Sequence, residues 1–250
     1  MAKSDNAIVA AAFEEAVINK DLNFDGVKEV LEIINSLFSE IISEENIGRK
    51  YKTANGDLII NDKTIELKYI TTDGLGTHLN TSMYNLTKYG CLPFKPFQEK
   101  HGVFNLLETK FGPSVRDRLS PVETSKASEF YESNKEFCNE VAELDKLARK
   151  DYVLYLYEYF KQNKEKCLEF LKDCLTKNIS EKQPADITIV YNSRFKKAFY
   201  LTKEQILNRN LEGLKISSQG LGLVFNGLRI NIGWQNHNGI SNPTLRVFLK

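Results

Sequence analysis

The sequence predicts an α/β or α+β protein in which a central mixed β-sheet is flanked by helices, and three observations carry that prediction. Residues 6–45 repeat their apolar positions at three- and four-residue spacing, the period of helices that bury one face. Residues 57–70 hold two β-rich runs, 57–60 and 63–70, separated by the turn formers Asn61-Asp62. Residues 126–178 are rich in Glu, Lys and Leu with few breakers, and short strand-like runs follow them.

The amino-terminal part reads as two helices separated by Asn23-Phe24-Asp25-Gly26. Lys50 and Lys52 lie in a short basic run that leads into the strand pair 57–60 and 63–70. Residues 73–82 are glycine-rich and polar, which is loop chemistry, and Thr81-Ser82 suits the cap of a helix starting near Met83. A proline-marked segment spans 93–121. The helical stretch 126–178 is expected to divide into two long helices near Arg149-Lys150-Asp151. Runs 186–191 and 198–201 suit a hairpin turned by Asn192-Ser193-Arg194, then a short helix over 202–208 and several short strands over 214–249. We read residues 1–250 as one domain, with a core at 6–125, a helical segment at 126–180 and a β-rich part at 181–250.

Composition narrows the function. The 34 Lys+Arg against 33 Asp+Glu leave a formal net charge of +1, which argues against a histone-like, purely electrostatic nucleic-acid binder. A sequence-specific binder remains open, because local basic patches can contact phosphates at any net charge. Cys91, Cys138, Cys167 and Cys174 include no CxxC pair and are expected to be reduced, mostly buried thiols. The chain has no apolar run of roughly 18 residues and starts without a signal-peptide core, so no membrane association and a cytoplasmic location are expected.

The strand pair carries the chemistry. A two-residue turn at Asn61-Asp62, both tolerant of positive φ, sets residue 60 opposite 63, 59 opposite 64, 58 opposite 65 and Asp57 opposite Glu66. Lys68 then shares a sheet face with Glu66, while Ile65, Leu67 and Tyr69 point to the other face. Two opposed carboxylates repel, and a divalent cation relieves the repulsion. Such a pair is an oxygen site for Mg²⁺. Beside the metal, Lys68 would lower the pKa of an attacking water, position it, or stabilise charge developing at phosphorus.

Asp57, followed by Glu66-Leu67-Lys68 on the next strand, resembles the PD-(D/E)XK motif of the restriction-endonuclease-like nuclease superfamily, over about fifteen residues. Gly56 stands where that motif usually has proline. The resemblance implies a restriction-endonuclease-like core and a helical acid ahead of the hairpin, for which Glu14 in Phe13-Glu14-Glu15 is the candidate third metal ligand. It further implies Mg²⁺-dependent, site-specific cleavage of double-stranded DNA by a type II restriction enzyme, acting as a homodimer and accompanied by a separately encoded DNA methyltransferase. A monomer that nicks each strand in turn, a repair or recombination nuclease such as a junction resolvase, and a non-catalytic interaction protein with these residues on a solvated hairpin are the alternatives.

Four segments are candidates for DNA contact, the first being the basic run with Lys50 and Lys52 ahead of the strand pair. Thr77, His78, Asn80, Thr81 and Ser82 follow two glycines that permit close backbone approach. Arg229, Gln235, Asn236, His237 and Asn238 surround Trp234 in a stretch suited to base edges or, alternatively, to a polar turn between edge strands with Trp234 in the core. Arg194 and Lys196 belong to a basic cluster at a hairpin tip. Asp186 also opens a strand, but no acid-x-Lys follows it, and it ranks below Asp57.

Overall fold

The computed structural model describes residues 5–38, 57–71, 74–118, 120–234 and 237–250. Helices α1 (Asp5–Ile18) and α2 (Val27–Phe38) form where the helical period runs, parted at the predicted Asn23–Gly26 region. Their apolar faces cover one face of a four-stranded mixed sheet made of β1 (Leu58–Ile60), β2 (Lys63–Ile70), β4 (Ile187–Asn192) and β5 (Lys197–Thr202), in the order β1-β2-β4-β5. Here Phe13, Val17, Val30 and Ile34 pack against Leu58, Ile65, Leu67 and Tyr191, each such side chain contributing about 1.5–3 kcal/mol by leaving water. The sheet is mixed because β2 runs parallel to β4 and antiparallel to β1, and the predicted α/β character holds at that level.

A second sheet, five-stranded and antiparallel throughout, has the order β3-β9-β8-β7-β6, from β3 (Thr77–Ser82), β9 (Pro243–Leu249), β8 (Leu228–Trp234), β7 (Gly222–Val224) and β6 (Lys215–Ile216). Its inner face, including Leu79, Leu223, Ile230, Ile232, Leu245 and Val247, joins the main core around Tyr152, Leu156 and Phe170.

Several expectations are corrected. The loop expected over 73–82 is strand from Thr77 onward, because β9 supplies a partner from the far end of the chain that local composition does not reveal. The proline-marked segment contains α3 (Lys95–Lys100) and α4 (Val103–Phe111). Helical residues 126–178 form α5 (Ala127–Ser133), α6 (Lys135–Gln162) and α7 (Lys164–Thr176), so the break near residue 150 does not occur. The chain leaves helical geometry instead at Asn134 (φ −143°, ψ 40°) and Asn163 (φ −114°, ψ 64°). Through the expected break, Arg149 donates to Asp145 four residues earlier at 2.8 Å, with both buried. The second hairpin turns through Ser193–Lys196 rather than at Asn192-Ser193-Arg194. Arg229 through Trp234 lie in β8 rather than in a loop. Helix α8 (Lys203–Leu207) starts where expected, Thr202 and Gln205 forming a reciprocal capping box. All four cysteines are free and buried.

Candidate active site

Asn61 (φ 48°) and Asp62 (φ 62°) are both left-handed, the backbone of a type I′ two-residue turn. The register is the derived one, with Ile60 opposite Lys63, Ile59 opposite Thr64 and Leu58 opposite Ile65. The ladder ends there, one residue short of Asp57. Asp57 bends, donating its N–H to the Ile65 carbonyl at 2.7 Å and accepting the Leu67 N–H on Oδ2 at 2.7 Å. Its carboxylate therefore takes up a strand N–H that the ladder no longer serves. Asp57 thus lies against the backbone of Leu67, between Glu66 and Lys68 in sequence, instead of pairing with Glu66 as a ladder neighbour.

Glu66 and Lys68 share the face predicted for them and form an ion pair. Sequence reasoning missed a third member. Lys177, the left-handed residue (φ 59°) that caps the C-terminus of α7, extends its ammonium to Glu66 Oε2 at 3.1 Å. Burial pushes the Glu66 carboxyl upward, and the ammonium groups of Lys68 and Lys177 outweigh it and hold the group at about 2. His78 completes the cluster from β3. A bulge between Thr77 and Leu79 interrupts the strand there, and the His78 ring is buried with Nε2 2.8 Å from the Leu175 carbonyl. Burial, helped by Lys177, lowers the His78 pKa to about 4.

Lys68 also lines a cleft of about 740 Å³ between the two sheets. Across it stand Arg229, Phe248 and Lys250, with Gly74 and Gly76 on the connecting segment. Arg229 lies over the Phe248 ring, 5.0 Å from its centroid. Among the described residues the charged side chains that line this cleft are Lys68, Arg229 and Lys250, with no aspartate or glutamate beside them.

The remaining candidates scatter. Thr81 is buried and accepts from the Asn85 amide at 2.9 Å, and Ser82 caps the 3₁₀ turn at Met83–Tyr89, as its position suggested. Asn80 is exposed on β3. His237 stacks on Tyr131 of α5 with centroids 4.2 Å apart, Asn238 is exposed, and Gln235 and Asn236 lie outside the described residues. Trp234 is in the core, donating Nε1–H to Asp145 at 2.6 Å. Lys196 pairs with Asp25 at 2.8 Å, and Arg194 is exposed at the hairpin tip. Lys50 and Lys52 lie outside the described residues. Asp186 clamps the hairpin, its Oδ2 accepting the N–H and hydroxyl of Thr64 at 2.9 Å each.

Mg²⁺ asks for oxygen donors, accepts one or two protein carboxylates and keeps several waters. Asp57 and Glu66, the latter held ionised, fit that donor set, and a cation on Glu66 competes with Lys68 and Lys177 for its two oxygens. Among the described residues no three His, Cys, Asp or Glu side chains gather as a metal site, and Glu14 lies on α1. No known protein family matches the chain, and no curated protein aligns with it. Among the described residues no helix is long and apolar enough to cross a membrane.

Proposed function

We propose that the protein is a Mg²⁺-dependent endonuclease that hydrolyses phosphodiester bonds of double-stranded DNA, in the manner of a type II restriction enzyme. The observation that carries this reading is the hairpin: after its I′ turn the bend at Asp57 sets that carboxylate on the Leu67 N–H, between Glu66 and Lys68 in the middle of β2, and Lys68 stands on the wall of a cleft shared with Arg229 and Lys250. In this reading Asp57 and Glu66 hold the metal, which when bound supplies positive charge to the phosphodiester and acidifies a water. Lys68 stabilises the negative charge that grows on the phosphate oxygens, and Arg229 and Lys250 hold the neighbouring backbone in the cleft. A mixed sheet with acid-x-Lys on an interior strand and α1 packed on its far face supports a restriction-endonuclease-like core. Recognition of a short sequence, a homodimer matched to two-fold sites and a companion methyltransferase belong to the same proposal.

The test is incubation of plasmid DNA with the purified protein and Mg²⁺ or Mn²⁺. Discrete fragments, lost on chelation and reduced about 10²–10³-fold by Asp57→Ala or Lys68→Ala, are expected. Cutting confined to branched DNA would instead identify a resolvase. One observation favours a second, non-catalytic reading: both Glu66 oxygens are gripped by lysines, as in an ion-pair staple joining α7 to β2. Absence of cleavage with either metal would decide for the staple.

A further inference from the structure

The five-stranded sheet has one face in the core and one facing away, and the outward face has a composition that the core does not explain. Its cross-strand rows follow from the register. Lys215 stands opposite Val224, Val224 opposite Arg229, and Arg229 opposite Phe248, which faces Thr77. In the next row Asn231 stands opposite Arg246, which faces Asn80. Lys215, Arg229 and Asn80 are exposed and Asn231, Arg246 and Phe248 half-buried, whereas the alternate residues of β8 and β9 are buried. No aspartate or glutamate occurs in any of the five strands. In a chain with 33 acidic residues and a net charge of +1, these strands concentrate cations and amides and carry no acid of their own.

From this composition we propose that the outward face of the five-stranded sheet is the docking surface for duplex DNA, delivering the phosphodiester backbone into the cleft at Lys68. Three features of the face fit that occupant. Lys215 and Arg229 supply exposed positive charge for phosphates, and Arg246, half-buried with its guanidinium donating to the Trp234 carbonyl, adds to the field behind them. Asn80 and Asn231 each carry a paired donor and acceptor, and the arginines paired donors, of the kinds that read base edges. Strands about 4.8 Å apart across five positions span roughly 19 Å, the scale of one duplex face. The row Arg229–Phe248–Thr77 also runs into the cleft that Lys68 lines, so the face is continuous with the cleft at Lys68. The surface rests on the nuclease reading only for its role in delivery; the binding itself stands apart.

The experiment is fluorescence-anisotropy titration of the full chain with a labelled 30-base-pair duplex in Ca²⁺, at several salt concentrations, beside plasmid cleavage in Mg²⁺. The Lys215→Glu/Arg229→Glu variant is expected to bind at least 10-fold more weakly than the parent, with the log–log salt slope smaller by about 2, since each phosphate contact contributes roughly 0.9. Asn231→Ala, which removes no charge, is expected to leave that slope unchanged. Unchanged affinity and slope in the double variant, with a native circular-dichroism spectrum, would overturn the docking surface even if the parent cleaves DNA. Loss of affinity in that variant, with no cleavage by the parent, would leave the surface standing and remove the nuclease reading. Preference of the parent for anionic phosphatidylserine vesicles over duplex DNA would also overturn the proposal.

Discussion

Lys177 reaches across 111 residues of sequence to place its ammonium 3.1 Å from Glu66 Oε2, tying the end of α7 to the middle of β2. It does so from a left-handed backbone, φ 59°, where side chains other than Gly and Asn cost about 1 kcal/mol. Lys177→Ala keeps the strain and loses the contact, and is expected to destabilise the protein by about 1–3 kcal/mol, since Glu66 retains Lys68. Lys177→Gly loses the same contact but relieves the backbone, and should be about 1 kcal/mol more stable than Lys177→Ala. Urea midpoints of the three proteins check the order.

His78 predicts a pH dependence. Burial and the charge of Lys177 lower its pKa from 6.5 to about 4, so the folded ring stays neutral where the unfolded ring takes a proton. Between those values the unfolded state binds more protons, and stability therefore rises with pH. The contribution is fully present above pH 6.5 and is lost as pH falls toward 4, up to about 3 kcal/mol at 1.36 kcal/mol per unit. His78→Gln, which keeps a donor for the Leu175 carbonyl and cannot titrate, should flatten this window. Denaturant unfolding at pH 7, 5.5 and 4.5 measures it, and equal slopes in the two proteins would exclude His78 as the cause.

What the sequence disclosed and what it hid divide along the range of the interactions. The hairpin was legible to the residue because a two-residue turn fixes register locally, and Asn61-Asp62 carry the chemistry of that turn. Helix α2 was legible for the same reason, its apolar period being local, while α1 shows as an alanine-rich run of helix formers. By contrast, Thr77–Ser82 looks like a loop until β9, more than 160 residues later, pairs with it. Lys177 carries no local signal, because a lysine after a helix is ordinarily a solvated cap. The bend at Asp57 was hidden for a subtler reason: pairing rules give register, while the ladder's end depends on which acceptor meets the Leu67 N–H.

The turn itself is open to improvement. Asp62 sits at φ 62°, which glycine adopts without a Cβ penalty and which Asn-Gly turns favour. Asp62→Gly is expected to raise stability by up to about 1 kcal/mol and to leave cleavage intact, because the register is unchanged. Inserting one glycine between Asn61 and Asp62 moves β1 by a residue, which turns the Leu58 and Ile60 side chains off the core and takes Asp57 from Leu67. Activity should vanish in that variant. Cleavage assays alongside thermal melts separate the two, and an active insertion variant would show that the register of Asp57 does not matter.

Asp145 poses the sharpest stability test, because it is buried with no solvent to replace its partners. Its carboxylate accepts from Trp234 Nε1 at 2.6 Å, Arg149 Nε at 2.8 Å and Gln98 Nε2 at 3.3 Å, so α3, α6 and β8 meet on one side chain. Burial disfavours its charge, and the hydrogen bonds, with Arg149 as counter-charge, are what make it tolerable. Asp145→Ala leaves the Arg149 guanidinium and the indole N–H buried without that acceptor and is expected to cost about 3–5 kcal/mol. Asp145→Asn keeps one acceptor oxygen and the side-chain volume while removing the counter-charge, and is expected to cost less, about 2–3 kcal/mol. The single tryptophan reports the change directly: its fluorescence follows unfolding in denaturant, and native emission from Trp234 should shift when its acceptor is removed. If Asp145→Ala unfolds at the same denaturant concentration as the parent, the network is not what joins those three elements.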